Sequence, residues 1–519
     1  MKIYKYISII FLAFSPLFFT QCTDAFDSYN KTGVDDKEGE RDAYFLRQHM
    51  VNMQNWVIPS DPHAHQFTEQ LLGGPYGGYF ADASPGFNNK NFASYTPENA
   101  WSATTFENAM KNAITSYNTV VTMTDDPLFL SVAKVLKVMV LSRITDIYGP
   151  IPYTKLGNDG SLNAPYDSQQ VVYETMIAEL DEAITVLTEN RTSDFSSKAD
   201  RYYTGKTEKW AKLANSVKLR LAMRMADVNT AFAKAAAESV VAHPIGPMTS
   251  NADNALLVLI SGQSNPYQVG LSDWNGGDSR ISADITSYMN GYKDPRMEKY
   301  FDQAAFGGYV GFRSGVTIPS PQSTNQQYSN MSFAMRSAAN MRIMCAAEVA
   351  FLRAEGALRG WNMGGSAKDF YEQGITLSFD QNGAPGAAAY IADNTSLPER
   401  YVDPLHNFSY SGVPSSIKIA WDGAANFETN LERIITQKWI AIYPDGIEAW
   451  TEFRRTGYPK LMPVMVNNSS VVNSSRMARR LRYPNSEYTS NLTNLQEAIS
   501  SYLGGADNMA TDLWWAKKN

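Results

Sequence analysis

Cysteine is almost missing from this chain. Cys22 and Cys345 are the two in 519 residues, so beyond Cys22 no disulfide can form and stability must come from burial. Positive charge is not in excess either. Lysine and arginine number 45 against 52 acidic residues, a formal charge of −7. The basic cluster Arg476, Arg479, Arg480 and Arg482 is too local to track a phosphate backbone, which argues against nucleic acid. Histidine is scarce, with five in all. His63-Ala64-His65, with Asp61 and Glu69, can be read as a metal cluster, but it follows no recognised ligand spacing. No nucleophile elbow and no zinc-protease helix occur. Gly205-Lys206-Thr207 looks like the end of a phosphate loop, yet position 200 is Asp where that loop needs Gly. Acidic residues are plentiful, but nothing selects a glycosidase pair. The chain therefore reads as a binding protein rather than an enzyme, with no cofactor and no metal.

Long hydrophobic runs are also lacking. Ile7 to Phe19 is apolar but too short to span a bilayer comfortably. Behind Lys2 and Lys5 it has the layout of a secretory leader. Phe18-Phe19-Thr20-Gln21-Cys22 resembles a lipobox, in which the cysteine becomes the first residue and carries acyl chains. Thr20 and Gln21 depart from the commonest small residues there. The expectation is a signal peptide over 1–21, lipidation at Cys22, a polar acidic tether over 22–42 and a folded body over 43–519. Losing Lys2 and Lys5 lowers the charge from −7 to −9. Acyl chains hold a protein on a membrane without a transmembrane helix.

What the chain has in quantity is apolar and aromatic residues: 44% hydrophobic and 12% aromatic, with 19% charged. That supports a large core and excludes disorder as the default. Thr105 to Thr122 places Phe106, Met110, Ile114 and Tyr117 on one stripe. Leu128 to Tyr148 is more apolar, but Lys134, Lys137 and Arg143 make it a buried helix rather than a membrane span. Gly149-Pro150 ends it. Further helices are expected over Gln169–Leu187, Lys206–Ala226, Thr230–Ala242, Ala338–Arg359, Ala367–Phe379, Leu431–Ile442 and Gly446–Arg454. Cys345 falls inside one of them and is expected to pack as a small hydrophobe. Adjacent helices in pairs are similar to tetratricopeptide hairpins, although no strict sequence repeat is present. The missing alternation of strand and helix disfavours a periplasmic-type solute-binding protein.

Between the pairs lie long stretches rich in Gly, Pro, Asn, Ser and Tyr: Gly73–Trp101, Pro244–Ser337 and Asp380–Phe427. Irregular connections of that length usually carry function. A sugar ligand needs one or two exposed rings with polar groups for its hydroxyls. Ser272-Asp273-Trp274-Asn275-Gly276-Gly277-Asp278-Ser279-Arg280 has that composition, so Asp273, Trp274, Asn275 and Arg280 are candidate contacts; the alternative for Trp274 is a loop anchor. Tyr76-Gly77-Gly78-Tyr79 offers Tyr76 and Tyr79 by the same argument. Trp101 is either a platform or a staple for the helix it opens.

Four further segments carry a resemblance. They are Ser142-Arg143-Ile144-Thr145-Asp146-Ile147-Tyr148-Gly149-Pro150-Ile151-Pro152-Tyr153; Ala347-Glu348-Val349-Ala350-Phe351-Leu352-Arg353-Ala354-Glu355-Gly356; Ile435 to Trp450, running on to Pro459; and Arg480-Leu481-Arg482-Tyr483-Pro484 with Glu487 and Asn491. In this order, behind a lipoprotein leader, they resemble the SusD/RagB family of surface lipoproteins that capture nutrients. The Trp514-Trp515 ending looks closer to the second SusD-like subgroup than to the starch-binding branch. The resemblance implies an all-α dominated fold, with four tetratricopeptide-like helix pairs supporting a long-loop ligand-binding half. It also implies an outer-membrane protein facing the cell exterior, which passes oligosaccharide or oligopeptide to a SusC-like TonB-dependent transporter as a hinged lid. The signature residues themselves read as structural. Asp146 and Tyr148 would fix a helix exit, while Glu448, Arg454 and Arg455 would form ion pairs.

Overall fold

A computed structural model describes residues 44–156 and 163–516. Residues 1–48 and 49–519 form two units. Of the first, residues 44–48 are described and open the helix Tyr44–Val57. The leader 1–21, Cys22 and the tether 22–42 lie outside the described residues. No helix among the described residues is long and apolar enough to cross a membrane.

The body is built on helix hairpins: α1 Pro127–Tyr148, α2 Gln169–Glu189, α3 Thr207–Arg224, α4 Thr230–Ala242, α5 Ala346–Leu358, α6 Ala367–Asn382, α7 Phe427–Ile442 and α8 Gly446–Thr456. Neighbours pack in sequence, α1 on α2, α2 on α3 and α3 on α4. In the second half α5 packs on both α6 and α7, and α3 reaches across to α5. This is the all-α, tetratricopeptide-like scaffold. Local chemistry sets its ends. Asp126 caps α1 by accepting from Leu128 N at 2.8 Å, with Pro127 at the first helical position. Gly149, at φ +99°, then turns the chain out of α1.

The exit of α1 explains the first signature. The last carbonyls of a helix have no partner inside it. Arg454 Nη1 donates to Asp146 O at 2.6 Å, and Arg480 donates to Tyr148 O at 2.9 and 2.6 Å. Two cations from distant segments thus close the helix and complement its negative end. The Asp146 carboxylate accepts from Tyr173 and lies 3.4 Å from Arg224. Arg454 corrects the expectation of an ion pair. Its guanidinium lies 3.5 Å from the centre of the Trp450 ring and donates to backbone carbonyls, including Arg479 O at 3.0 Å.

Glu448 and Arg455 do form the expected pairs, within a larger buried network. Arg224 on α3 meets Glu448 at 2.6 Å and Glu452 at 2.5 Å. Lys438 on α7 meets Glu448 at 2.9 Å. Arg455 joins Glu355 at 2.6 Å and Glu452 at 2.7 Å, and Arg220 joins Glu348 at 2.6 Å. The network ties α3, α5, α7 and α8 with charges that are nearly all withdrawn from water. Burial pushes the Glu448 carboxyl up, but Arg224, Lys438 and Arg220 outweigh it and hold the carboxyl down at about 2.

Three expectations change. The helix expected over Ala338–Arg359 is a strand followed by a helix: β4, Asn340–Met344, pairs antiparallel with β2, Ala255–Val258, and α5 begins only at Ala346. Buried Cys345 is the extended residue just before α5, at φ −127°. The helix expected from Thr105 to Thr122 runs from Asn99 to Met123 with a π-helical turn over Ala109–Ile114. Three side chains of the His63–Glu69 segment and its cap have protein partners. Asp61 accepts from Ala64 N at 2.9 Å as a helix cap, His65 Nδ1 contacts Gln70 Nε2 at 3.1 Å, and Glu69 pairs with Arg143.

Candidate ligand-binding site

A second strand pair carries the Trp274 loop. β1, Phe80–Asp82, pairs antiparallel with β3, Ser279–Ile281, with Asp82 opposite Ser279. The loop immediately precedes β3. Asn275, Gly276 and Gly277 take positive φ in succession, +54°, +74° and +100°. At Gly277 a Cβ would lie 2.3 Å from Leu271 O, so glycine is required both by conformation and by space. The loop then closes on itself: Trp274 N donates to Val269 O at 2.9 Å, Gly277 N to Trp274 O at 2.7 Å, and Asp278 N to Gly270 O at 3.1 Å.

Arg280 holds this turn from beneath. It is buried, and donates to Gly276 O at 2.9 Å and Ser279 O at 2.8 Å. Burial, with the nearby Arg336, pulls its guanidinium down to about 10. The structure therefore gives Arg280 a positioning role and not the exposed one expected for a ligand contact. From the other side, Gln322 donates to Gly277 O at 3.0 Å and Gln326 to Asn275 O at 2.6 Å. Gln268 donates to the Asp273 carboxylate at 2.7 Å. The outcome is an exposed edge: a half-buried Trp274 ring between exposed Asp273 and Asn275, with half-buried Gln322 and Gln326 beside it. The two glutamines were not among the candidates. Their one sequence signal is an i, i+4 spacing on a segment too short to show helical periodicity.

Tyr76 and Tyr79 are not at this edge. Both are buried in the core, which corrects the expectation of exposed rings. Tyr76 donates to Phe92 O at 2.8 Å and packs against Trp450 at 4.8 Å. Tyr79 donates to Trp439 O at 2.5 Å and stacks on the Trp439 ring. The reason lies in the neighbouring glycines. A Cβ on Gly446 would stand 2.3 Å from the Gly73 carbonyl carbon, and one on Gly77 would stand 2.7 Å from Gly446 O. Two backbones meet there, so the segment that carries the tyrosines is packed against α8. Trp101 keeps 9% of its surface. It packs against Phe67 at 5.0 Å and Phe87 at 5.2 Å, with the Lys90 ammonium 5.8 Å from its ring. Its ring is therefore a core contact among these aromatic side chains.

A helix-hairpin scaffold that presents a ring and amide side chains on a braced loop is the architecture of a binding protein. The family model for SusD-like proteins, SusD and RagB outer membrane lipoproteins, matches residues 28–516. This chain belongs to that family. Among solved structures it is similar to a SusD homologue from Bacteroides uniformis, at 46% identity and TM-score 0.88 over 92% of this chain and 100% of that one. It is also similar to a SusD homologue from Bacteroides ovatus, at 41% identity and TM-score 0.85 over 92% and 100%. A chitin-binding SusD homologue from Flavobacterium johnsoniae shares 38% identity and a TM-score of 0.87 over 91% and 99%. No curated protein matches.

Proposed function

We propose that this protein is a surface-exposed outer-membrane lipoprotein that captures oligosaccharide through the Trp274 edge and delivers it to a SusC-like TonB-dependent transporter, acting as its lid and not as an enzyme. The observation that carries the reading is the half-buried Trp274 on a loop with Asp273 and Asn275, whose backbone Gln322 and Gln326 hold. An aromatic face stacks on the apolar face of a sugar ring, and amide and carboxylate groups bond its hydroxyls. The chitin-binding relative supports a glycan cargo. In this reading Cys22 carries the lipid and residues 22–42 are the tether. Titration calorimetry of the full-length lipoprotein in detergent, against oligosaccharide and oligopeptide panels, tests this. Saturable heat with sugars and no cleaved product is expected. Peptide binding alone would transfer the role to peptide capture, and product formation would replace it with hydrolysis.

A further inference from the structure

A cleft of about 490 Å³ opens beside the short helix Phe333–Arg336. Trp274 and its neighbours Asp273 and Asn275 do not line it. Its volume falls within the range of small-ligand sites. Phe333 lines it and is 61% exposed. That exposure is built in, because the backbone beneath the ring is held. Phe333 N donates to the Asp302 carboxylate at 3.2 Å, and Ser332 Oγ donates to Lys299 O at 2.6 Å while accepting from Met335 N at 3.3 Å. Exposed Glu298, Lys299 and Asn340 share the wall. The charged residues of the lining balance, Glu298 and Asp302 against Lys299 and Arg342. One side chain joins this cleft to the Trp274 edge. Gln268 donates to the Asp273 carboxylate at 2.7 Å and accepts from Arg336 Nε at 3.1 Å. Arg336 in turn pairs with Asp302 at 2.5 Å and lies 5.4 Å from the centre of the Phe333 ring. Two hydrogen bonds and one cation–ring contact thus separate the Asp273 carboxylate from that ring, a span that one oligosaccharide can cross.

We infer that this cleft is a second subsite for the same cargo, so that one uncharged oligosaccharide rests on Trp274 and, further along, on Phe333. The Phe333 ring gives a sugar an apolar face to pack on, and Glu298, Lys299 and Asn340 offer partners to its hydroxyls. The balanced wall gives neither an anionic nor a cationic sugar a net attraction, which favours neutral chains. When one ligand spans both subsites the second contact becomes intramolecular, and affinity rises with chain length. The inference rests on the reading of the Trp274 edge as a glycan site, and deepens it to a preference for long neutral chains.

The test is titration calorimetry of the full-length lipoprotein in detergent with chito-, cello-, malto- and xylo-oligosaccharides, each as the disaccharide and the hexasaccharide. Phe333→Ala removes the exposed ring and Phe333→Tyr keeps one; melting temperature verifies that each variant folds. In the series that binds, wild type is expected to hold the hexasaccharide more tightly than the disaccharide. Phe333→Ala should weaken the hexasaccharide about tenfold, within the range found for a nucleobase stacked on an aromatic side chain, and leave the disaccharide at the Trp274 edge unchanged. Phe333→Tyr should bind as wild type does, and Trp274→Ala should weaken both lengths. A hexasaccharide that ignores Phe333→Ala but loses affinity in Trp274→Ala would overturn the subsite while leaving capture at Trp274 intact. Dependence on Phe333 without dependence on Trp274 would overturn the shared chain and the Trp274 reading together. Silence with every sugar would refute both, and an uncharged, end-blocked hexapeptide that then binds through Phe333 would give the cleft to peptide.

Discussion

Replacing Arg224 with methionine probes how the two halves of the scaffold are joined. Arg224 faces Glu448 at 2.6 Å, Glu452 at 2.5 Å and Asp146 at 3.4 Å, and it is 1% exposed. Methionine fills much of the same space but leaves these carboxylates short of a cation in a region closed to water. Breaking a buried pair by removing one partner costs about 3–5 kcal/mol. Residues 49–519 form one unit, and a body of about 470 residues unfolds with an entropy of about 1 kcal/mol/K. Arg224→Met is therefore expected to lower the melting temperature by about 3–5 °C at pH 7. Adding Glu448→Gln should restore part of the loss, because one orphaned charge is removed. Acid provides an independent check. Glu448 has its carboxyl lowered from 4.5 to about 2, so the stability it contributes is complete above pH 4.5 and is lost as pH falls towards 2. Scanning calorimetry of wild type, both single variants and the double variant reads all of this. A single variant as stable as wild type, or a double variant that loses the full sum of the two single effects, would refute the network as the joint between the halves.

Other outcomes follow from the same geometry. Gly446→Ala brings a Cβ to 2.3 Å from the Gly73 carbonyl carbon, and backbone cannot yield as a side chain can. Denaturant titration should show a loss of at least about 1–3 kcal/mol, while Gly423→Ala, with nothing within 4 Å, should be near neutral. Asp82 is buried, neither of its carboxylate oxygens has a hydrogen-bond partner, and burial together with the Asp278 charge raises it from 3.8 to about 8. Its folded pKa exceeds its unfolded one, so its contribution is present below pH 3.8 and is lost as pH rises through 8. Wild type should lose stability across that window relative to Asp82→Asn. Equal pH slopes in melting temperature would show that Asp82 ionises freely in the fold.

Much of the scaffold was legible because long helices state their period many times over. Thr230–Ala242 coincides with α4, and Leu128–Tyr148 falls one residue short of α1. The strand at Asn340–Met344 was hidden by its apolar continuation into α5, since five residues of alternation are easily absorbed into a neighbouring helical pattern. The candidate site was harder to read. A glycine beside a tyrosine is equally suited to an exposed loop and to a seam where two backbones touch, and only the approach of Gly446 to Gly73 separates the cases. Arg280 was misread for a related reason. In composition, an arginine that braces a turn is the same as one that awaits a ligand. Of the Ser272–Arg280 run only Asp273, Asn275 and Gly276 are exposed, while Gly277 to Arg280 are buried, a division that composition does not show.

Glycan capture at the Trp274 edge is tested most directly by titrating Trp274→Ala and wild type with one neutral oligosaccharide series, chitobiose to chitohexaose. Saturable heat is expected in wild type, with a loss of about 1–3 kcal/mol of binding free energy in the variant, the order found for a nucleobase stacked on an aromatic side chain, and an unchanged melting temperature. Equal binding by the two proteins would contradict it.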